Sequence, residues 1–207
     1  MIYWISAFIL KIIAKLYHRA EIYGKENFPE KGPFIGVVNH NSNIDIIAMA
    51  GAVRHKVHTM AKDSLFRVPV LKWWLRAVGM FPVIRNSSDQ KAFNYAVNIL
   101  KQGKVLFIAP EGTRRKNKDQ QMRIRTGFVR LAQMVSCPVI PVAISGTNKA
   151  LPPGALFLRP VKIKVKIGKP FQLEKISKEK NNKEIYQLQA DNTMKIIYDM
   201  LAELEKW

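Results

Sequence analysis

Residues 33–53 read PFIGVVNHNSNIDIIAMAGAV and combine the patterns of a strand, a turn and a helix. It opens on the apolar run 34–38, which is typical of a β-strand buried on both faces. It closes on residues 44–50, which are apolar enough to form a buried helix. The Asn and Ser residues between the two runs favour a turn and a helix N-cap, so we expect the helix to begin near Asn43, with Asp45 in its first turn.

His40 and Asp45 lie on either side of this turn, five residues apart. On a regular helix that separation points the two side chains about 140° apart, and on a strand it places them on opposite faces. They meet only if a turn intervenes. The helix dipole favours Asp45 as an anion, and an anionic carboxylate can fix the tautomer of an imidazole and leave its other nitrogen as a base. The residues alone leave two interpretations open: a catalytic His–Asp pair, or two side chains that cap a turn.

The length of 207 residues fits one domain that is large enough for a real core. The single cysteine, Cys137, excludes an intramolecular disulfide, and its place before Pro138 at a predicted strand entrance favours a buried structural thiol over a nucleophile. The His and Cys residues are too few and too scattered for a zinc site, so we predict no bound metal.

The net charge of +19 is concentrated in one part of the chain. Residues 1–170 contain 28 basic and 8 acidic residues, whereas residues 171–207 contain 6 basic and 7 acidic residues. The positive electrostatic field of such a segment indicates an anionic partner, which can be a nucleic acid, an anionic bilayer surface or an acidic metabolite. Composition by itself does not choose among these three.

Residues 1–20, MIYWISAFILKIIAKLYHRA, have the pattern of an amphipathic helix. Its apolar stripe comprises Ile2, Ile5, Ile9, Ile12, Ile13 and Leu16, and its basic face comprises Lys11, Lys15, His18 and Arg19. Lys11 interrupts the apolar run well short of the about 20 residues that span a bilayer. The apolar run is not preceded by a basic region and not followed by a clear small-residue cleavage site, so we do not expect a signal peptide. Trp4 and Phe8 favour an interfacial membrane anchor over a helix packed on the core.

Residues 21–207 alternate predicted strands with predicted helices, which indicates a single α/β domain with a mostly parallel mixed sheet flanked by helices. We expect strands at 21–23, 34–38, 56–61, 79–84, 105–109, 139–144 and 161–167, and helices at 68–77, 89–102, 126–135 and 181–207. Ser87 and Ser88 are the expected caps of the second of these helices. The alternating VKIKVKI of residues 161–167 is more typical of a solvated sheet edge than of a binding surface.

Polar residues follow three of the predicted strands directly. In open α/β sheets, ligands bind beyond the carboxyl ends of the strands. Gly lets the backbone approach a ligand closely, and Arg suits bidentate recognition of phosphate. The pattern therefore predicts a general base beside an anion pocket, built from His40 with Asp45, from Arg85, and from residues 111–115.

Four blocks of this chain resemble, in order and spacing, the glycerolipid acyltransferase family. They are Asn39-His40-x4-Asp45, GMFPVIR at 79–85, FIAPEGTR at 107–114 and VIPVA at 139–143. The 1-acylglycerol-3-phosphate acyltransferases are the subfamily that the blocks resemble most, and the resemblance covers about residues 24–169. The chain departs from the family pattern at Ile84, Ala109 and Arg125.

The resemblance implies that His40, oriented by Asp45, deprotonates the acceptor hydroxyl, which then attacks an acyl thioester. It implies that Arg85 and Arg114 hold the acceptor phosphate, with substrate contacts also from Glu111, Gly112 and Thr113. It implies no cofactor, and acyl-coenzyme A or acyl-acyl-carrier protein as co-substrate.

The expected partners are an anionic phospholipid bilayer, a lysophospholipid acceptor and the acyl donor. The expected location is peripheral or monotopic on the cytoplasmic face of the inner membrane, with residues 1–20 as anchor and 21–207 as the acyltransferase domain. Glycerol-3-phosphate or another lysolipid is an alternative acceptor. A basic nucleic-acid-binding protein is the alternative from another class, although the chain has no recognisable nucleic-acid-binding motif.

Overall fold

A seven-stranded mixed sheet forms the centre of the computed structural model, which describes residues 1–84, 87, 89–113, 123–176 and 182–206. The strands are β1 (Glu21–Tyr23), β2 (Phe34–Val38), β3 (Val57–Lys62), β4 (Met80–Val83), β5 (Val105–Ile108), β6 (Val139–Ser145) and β7 (Lys164–Ile167). Their order is β1-β7-β6-β2-β5-β3-β4. Every neighbouring pair is parallel except β6 and β7, which confirms the predicted α/β class and mostly parallel sheet.

Helices cover both faces of this sheet. They are α1 (Ile2–Ile12), α2 (Asp45–Ala52), α3 (Pro69–Ala77), α4 (Gln90–Lys101), α5 (Gly127–Val135), α6 (Thr147–Ala150) and α7 (Asn182–Lys206). The N-terminal segment and α2 pack on one face, while α4, α5 and α7 pack on the other. Alternate residues of β2 serve the two layers, since Ile35 and Val37 contact the second and Phe34 and Val38 the first. The strand is buried throughout, as its apolar run predicts.

The lysine-rich strand β7 is not a sheet edge, so the prediction of a solvated edge is wrong. It lies between β1 and β6. The long helix α7 covers its lysines: Lys166 forms an ion pair with Glu203, and Lys164 Nζ donates to the carbonyl of Leu204 at 3.3 Å. The alternation of lysine and apolar residues correctly indicated that this strand has two unlike faces. It carries no information about which strands pair with β7 on either side.

Two helices begin at aspartates rather than at the predicted Asn or Ser residues. The N-cap of α4 is Asp89, whose Oδ1 accepts the N–H of Ala92 at 3.0 Å. Helix α2 begins at Asp45, two residues beyond the expected start, because the Asp45 carboxylate accepts N–H groups from the preceding turn. The predicted helix at 181–207 is observed as α7, with its two outermost residues outside the described part.

The N-terminal segment continues from α1 into a π-helical turn, Ile13–Tyr17, and presents an apolar surface to solvent. Its exposed large apolar side chains are Met1, Trp4, Ile5, Phe8, Ile9, Ile12, Leu16 and Tyr17. On the inward side, Leu10 and Ile13 pack against the core together with the buried Ala14. His18 lies inside rather than on the predicted basic face, since its Nδ1 is 3.1 Å from the carbonyl oxygen of Val161. None of the helices described is long and apolar enough to cross a membrane.

Candidate active site

The turn after β2 brings His40 and Asp45 together. His40 Nδ1 lies 2.7 Å from Asp45 Oδ2. The same oxygen accepts the backbone N–H groups of Asn41 at 3.0 Å and Ser42 at 3.1 Å. An ionised Asp45 therefore keeps the imidazole proton on Nδ1 and leaves Nε2 as the basic nitrogen. The His40 ring is partly exposed, so Nε2 can meet a substrate.

Hydrogen bonds to the neighbouring strand β6 hold the turn in place. The Asn39 side chain donates to the carbonyl of Ile144 at 2.9 Å and accepts the N–H of the same residue at 2.8 Å. Asn41 Nδ2 donates to that carbonyl as well, at 3.1 Å. Ser42 Oγ donates to the carbonyl of Leu151 at 3.2 Å. The polar residues between strand and helix thus position His40, and they do so through a partner about a hundred residues away.

Glu111 supports the same turn from β5. Its Oε2 accepts the backbone N–H of His40 at 2.7 Å, and its Oε1 accepts the hydroxyl proton of Tyr198 at 2.8 Å. The residue is only 3% exposed. Because protein donors engage both oxygens, this geometry favours a role in positioning His40 over direct contact with a ligand. Tyr198 lies on α7, and one tyrosine in an amphipathic helix gives no motif from which sequence reasoning could find it.

The loop after β5 packs against Arg125. Gly112 has a φ of 66°, and a Cβ at this position would collide with the Arg125 side chain. The N–H of Arg125 donates to the carbonyl of Pro110 at 2.9 Å, which fixes its backbone beside the loop. Gly112 is therefore required for its conformation and for this close approach. Thr113 is exposed at the same edge.

The predicted phosphate ligands Arg85 and Arg114 lie outside the described residues. The strands that precede them in the sequence are described: β4 ends at Val83 and β5 at Ile108, both at the carboxyl edge that also carries His40. Lys62 is an exposed cation at this edge that the sequence interpretation missed. It ends β3, between β5 and β4, and pairs in register with Val83. Its position as the last residue of a parallel strand is the signal that would have revealed it.

The other histidines and the cysteine do not join the site. His18, His55 and His58 each contact a backbone carbonyl oxygen. Burial lowers the pKa of His58 and raises that of the Cys137 thiol to about 11, which confirms a structural cysteine. Within the described residues, no group of three His, Cys, Asp or Glu side chains is arranged to hold a metal ion.

Comparison with known proteins agrees with this geometry. A family model described as Acyltransferase matches residues 19–145. The chain is 30% identical over 169 residues to the 1-acyl-sn-glycerol-3-phosphate acyltransferase of Bacillus subtilis, covering 81% of each protein. It is also 30% identical over 184 residues to the Saccharomyces cerevisiae protein of the same name, covering 86% of this chain and 60% of the yeast protein.

Among solved structures, the chain resembles the crystal structure of the 1-acyl-sn-glycerophosphate acyltransferase from Thermotoga maritima. The TM-score is 0.71 at 26% sequence identity, and the match covers 95% of this chain and 80% of that one. The family model alone spans more than half of the chain and includes β2, the His40–Asp45 turn and β5. The chain therefore belongs to the acyltransferase family.

Proposed function

We propose that this enzyme transfers an acyl group from an acyl thioester to the free hydroxyl of 1-acyl-sn-glycerol-3-phosphate, which gives phosphatidic acid. The observation that carries the proposal is the 2.7 Å contact between His40 Nδ1 and Asp45 Oδ2 at the carboxyl edge of the sheet. The names of the relatives from Bacillus subtilis and yeast support the acceptor. Basic charge is the only feature that favours a nucleic-acid partner.

In this mechanism His40 Nε2 accepts the proton of the acceptor hydroxyl as its oxygen attacks the thioester carbonyl carbon. The tetrahedral intermediate then breaks its C–S bond, and the imidazolium returns the proton to the leaving thiolate. The alcohol is the nucleophile, so the enzyme needs no nucleophilic Ser or Cys. General-base catalysis contributes about 10²–10⁴-fold, and positioning and oxyanion stabilisation contribute the remainder.

Backbone N–H groups in the turn before α2 are the simplest candidates for oxyanion stabilisation. In the structure the N–H groups of Asn41 and Ser42 donate to Asp45, and that of His40 donates to Glu111. These three N–H groups are therefore engaged in positioning His40 and are not available to the oxyanion.

The acceptor phosphate is held, in our proposal, by Arg85 and Arg114, with Gly112 and Thr113 beside it. The support is their place after β4 and β5 and the family blocks in which they stand. Lys62 at the end of β3 adds a third cation between these two strands. The donor is an acyl thioester of coenzyme A or acyl-carrier protein, with no further cofactor.

Replacing Arg85 or Arg114 by Ala is expected to raise the KM for lysophosphatidic acid on the order of 10- to 100-fold, because each variant loses a charge-assisted hydrogen bond. The KM for the acyl donor should barely change. Lysine at either position should rescue only partly, since an ammonium lacks the bidentate fork of guanidinium. Steady-state kinetics with each substrate varied in turn make the measurement.

The matched control for these variants is Arg130→Ala. Arg130 is an exposed arginine on α5 whose guanidinium stacks on Phe93, 5.0 Å from the ring centroid. Its loss should leave acceptor KM at the wild-type value. Equal use of lysophosphatidic acid and an uncharged monoacylglycerol by the wild-type enzyme, or unchanged acceptor KM in both arginine variants, would refute the phosphate assignment.

Tyr198→Phe tests the positioning role of Glu111. The change removes only the hydroxyl that donates to Glu111 Oε1, a bond to a charged group worth about 1.5–3 kcal/mol. We expect kcat to fall about tenfold, with both KM values little changed, because His40 loses part of its support. Tyr186→Phe makes the same chemical change on the same helix and should leave kcat unaltered. A wild-type kcat in Tyr198→Phe would show that this contact has no role in the reaction.

We propose that the enzyme is peripheral or monotopic on the cytoplasmic face of the cell membrane, with residues 1–20 in the interface. Trp4 and Phe8 are 56% and 64% exposed, and they lie on the same surface as Ile5, Ile9 and Leu16. Lys11 and Lys15 are exposed beside them. Such a surface gains free energy both from burying apolar area and from attraction to anionic lipids, which the cytoplasmic leaflet carries.

A further inference from the structure

The loop between α6 and β7 projects two large apolar side chains into solvent. Leu156 is 89% exposed and Phe157 is 82% exposed, more than any other large apolar residue described except Met1. Exposed apolar side chains that lie side by side at a loop tip are a feature of interaction surfaces. No part of the proposed reaction accounts for them.

This loop is held firmly at its base. The N–H of Arg159 donates to the carbonyl of Ala150 at 2.8 Å, which closes residues 151–158 into a compact loop. Leu151 and Leu158 turn inward and pack against the apolar cluster of the N-terminal segment and α2. Leu156 and Phe157 are thus presented outward by a base that is itself well packed.

The base of the loop connects two parts of the molecule that matter for the proposed function. The carbonyl of Leu158 accepts the hydroxyl proton of Tyr17 at 2.7 Å, beside Leu16, which is 73% exposed. The carbonyl of Leu151 accepts the hydroxyl proton of Ser42, two residues from His40. The loop therefore runs from the catalytic turn to the end of the exposed apolar surface of residues 1–20.

The charges around the tip match an anionic bilayer. Lys149 and Arg159 are exposed at the two sides of the loop. The chain has no acidic residue between positions 147 and 173. An apolar tip with basic residues at its base combines burial in the acyl region with attraction to anionic headgroups.

We infer that the tip formed by Leu156 and Phe157 inserts into the same leaflet as the apolar surface of residues 1–20, as a second membrane contact. This inference rests on the proposed function at a bilayer. Through Leu151 and Ser42, insertion of the tip holds the catalytic turn next to the membrane surface, where a lysolipid acceptor resides. A single membrane-bound helix would leave the protein free to rotate about the helix axis, whereas two membrane contacts fix the orientation of the protein.

Site-directed fluorescence tests the insertion. Phe157→Cys, Phe8→Cys and Leu188→Cys are each labelled with the environment-sensitive fluorophore NBD at neutral pH. Cys137 stays unlabelled because it is buried and the pKa of its thiol is raised to about 11. Leu188 is the matched control, since it is 60% exposed on α7, on the opposite face of the sheet. Wild-type protein carried through the labelling checks that Cys137 is silent.

On vesicles of phosphatidylglycerol and phosphatidylcholine, the probes at positions 157 and 8 should shift to shorter wavelength and be quenched by doxyl-labelled lipid. The probe at 188 should do neither. If position 157 behaves like 188 while position 8 responds, the loop inference is overturned and the anchor of residues 1–20 stands. A response at 157 without vesicles that grows with protein concentration would identify a second copy of the chain and would equally overturn the inference.

A second measurement does not depend on labelling. The double variant Leu156→Ser with Phe157→Ser should bind these vesicles more weakly, on the order of 10- to 100-fold, because two apolar side chains lose their burial. Leu188→Ser should bind as the wild type does, and equal binding by the double variant would overturn the inference. Neither vesicle binding nor fluorescence requires turnover, so a His40→Ala protein should give the same results in both measurements. A failure of the loop to insert can therefore be distinguished from a failure of the proposed reaction.

Discussion

His40→Ala is expected to lower the kcat of acyl transfer on the order of 10²–10⁴-fold, the range that a general base contributes. The variant should fold normally, because the imidazole is partly exposed and its described side-chain hydrogen bond is the one to Asp45. The Asp45 carboxylate keeps the N–H groups of Asn41 and Ser42 as donors, so the turn keeps its shape. Initial rates with purified protein and a thermal unfolding curve make the measurement together.

His55→Ala is the matched control for this variant. His55 is also a half-buried histidine at the surface of the sheet, and its Nε2 lies 2.8 Å from the carbonyl oxygen of Glu30. Its loss should leave kcat unchanged. Should purified His40→Ala retain activity within a few-fold of the wild type while it is correctly folded, His40 cannot be the base.

Asp45→Asn is expected to lower kcat by up to about 10⁴-fold, since the neutral amide neither fixes the imidazole tautomer with certainty nor stabilises the imidazolium. Asn keeps the shape of the side chain and one acceptor oxygen for the turn. Asp45→Ala removes the acceptor of two backbone N–H groups as well, so it should also lower the melting temperature. Comparing the two variants separates the chemical role of Asp45 from its structural role.

The combination of His40→Ala with Asp45→Asn should be no slower than the slower single variant. When two residues act as one catalytic unit, removing either one already abolishes most of the rate enhancement that they provide together. Asp199→Asn is the control. Asp199 is an exposed residue on α7 whose carboxylate pairs with Lys195, so this change should leave kcat unchanged. Additive losses in the double variant, or a wild-type kcat in Asp45→Asn, would show that the two residues work independently.

In our proposal, the basic charge and the exposed apolar surface of residues 1–20 together bring a chain with no described membrane-spanning helix to its lipid substrate. The charge is concentrated before position 171, in the part that also contains the N-terminal segment and the proposed phosphate site. By the same proposal, attraction to an anionic surface concentrates the enzyme where its acceptor lies, and the inferred short-range contacts are those of α1 and of the 151–158 loop.

The strand, turn and helix of residues 33–53 could be predicted from the local pattern, although α2 begins two residues later than expected. Local pattern suffices there, because an apolar run bounded by Asn and Ser residues has few ways to fold, and only a turn can join His40 to Asp45. The sequence also determined the α/β class, since alternation of strands with helices leaves few sheet arrangements. The order of the blocks identified the family for the same reason: motifs and spacing are linear properties of the chain.

The distant groups that support the site could not be predicted from the sequence. The pairing of Asn39 with Ile144, the bond from Tyr198 to Glu111 and the place of Lys62 between β5 and β4 depend on strand order and on the return of α7 over the sheet. Pairing with β1 makes the predicted edge strand β7 an inner strand, and α7 covers its lysines. Hydrogen bonds between residues about a hundred positions apart leave no local periodicity, because each partner is chosen by the packing of whole elements rather than by its neighbours in the chain.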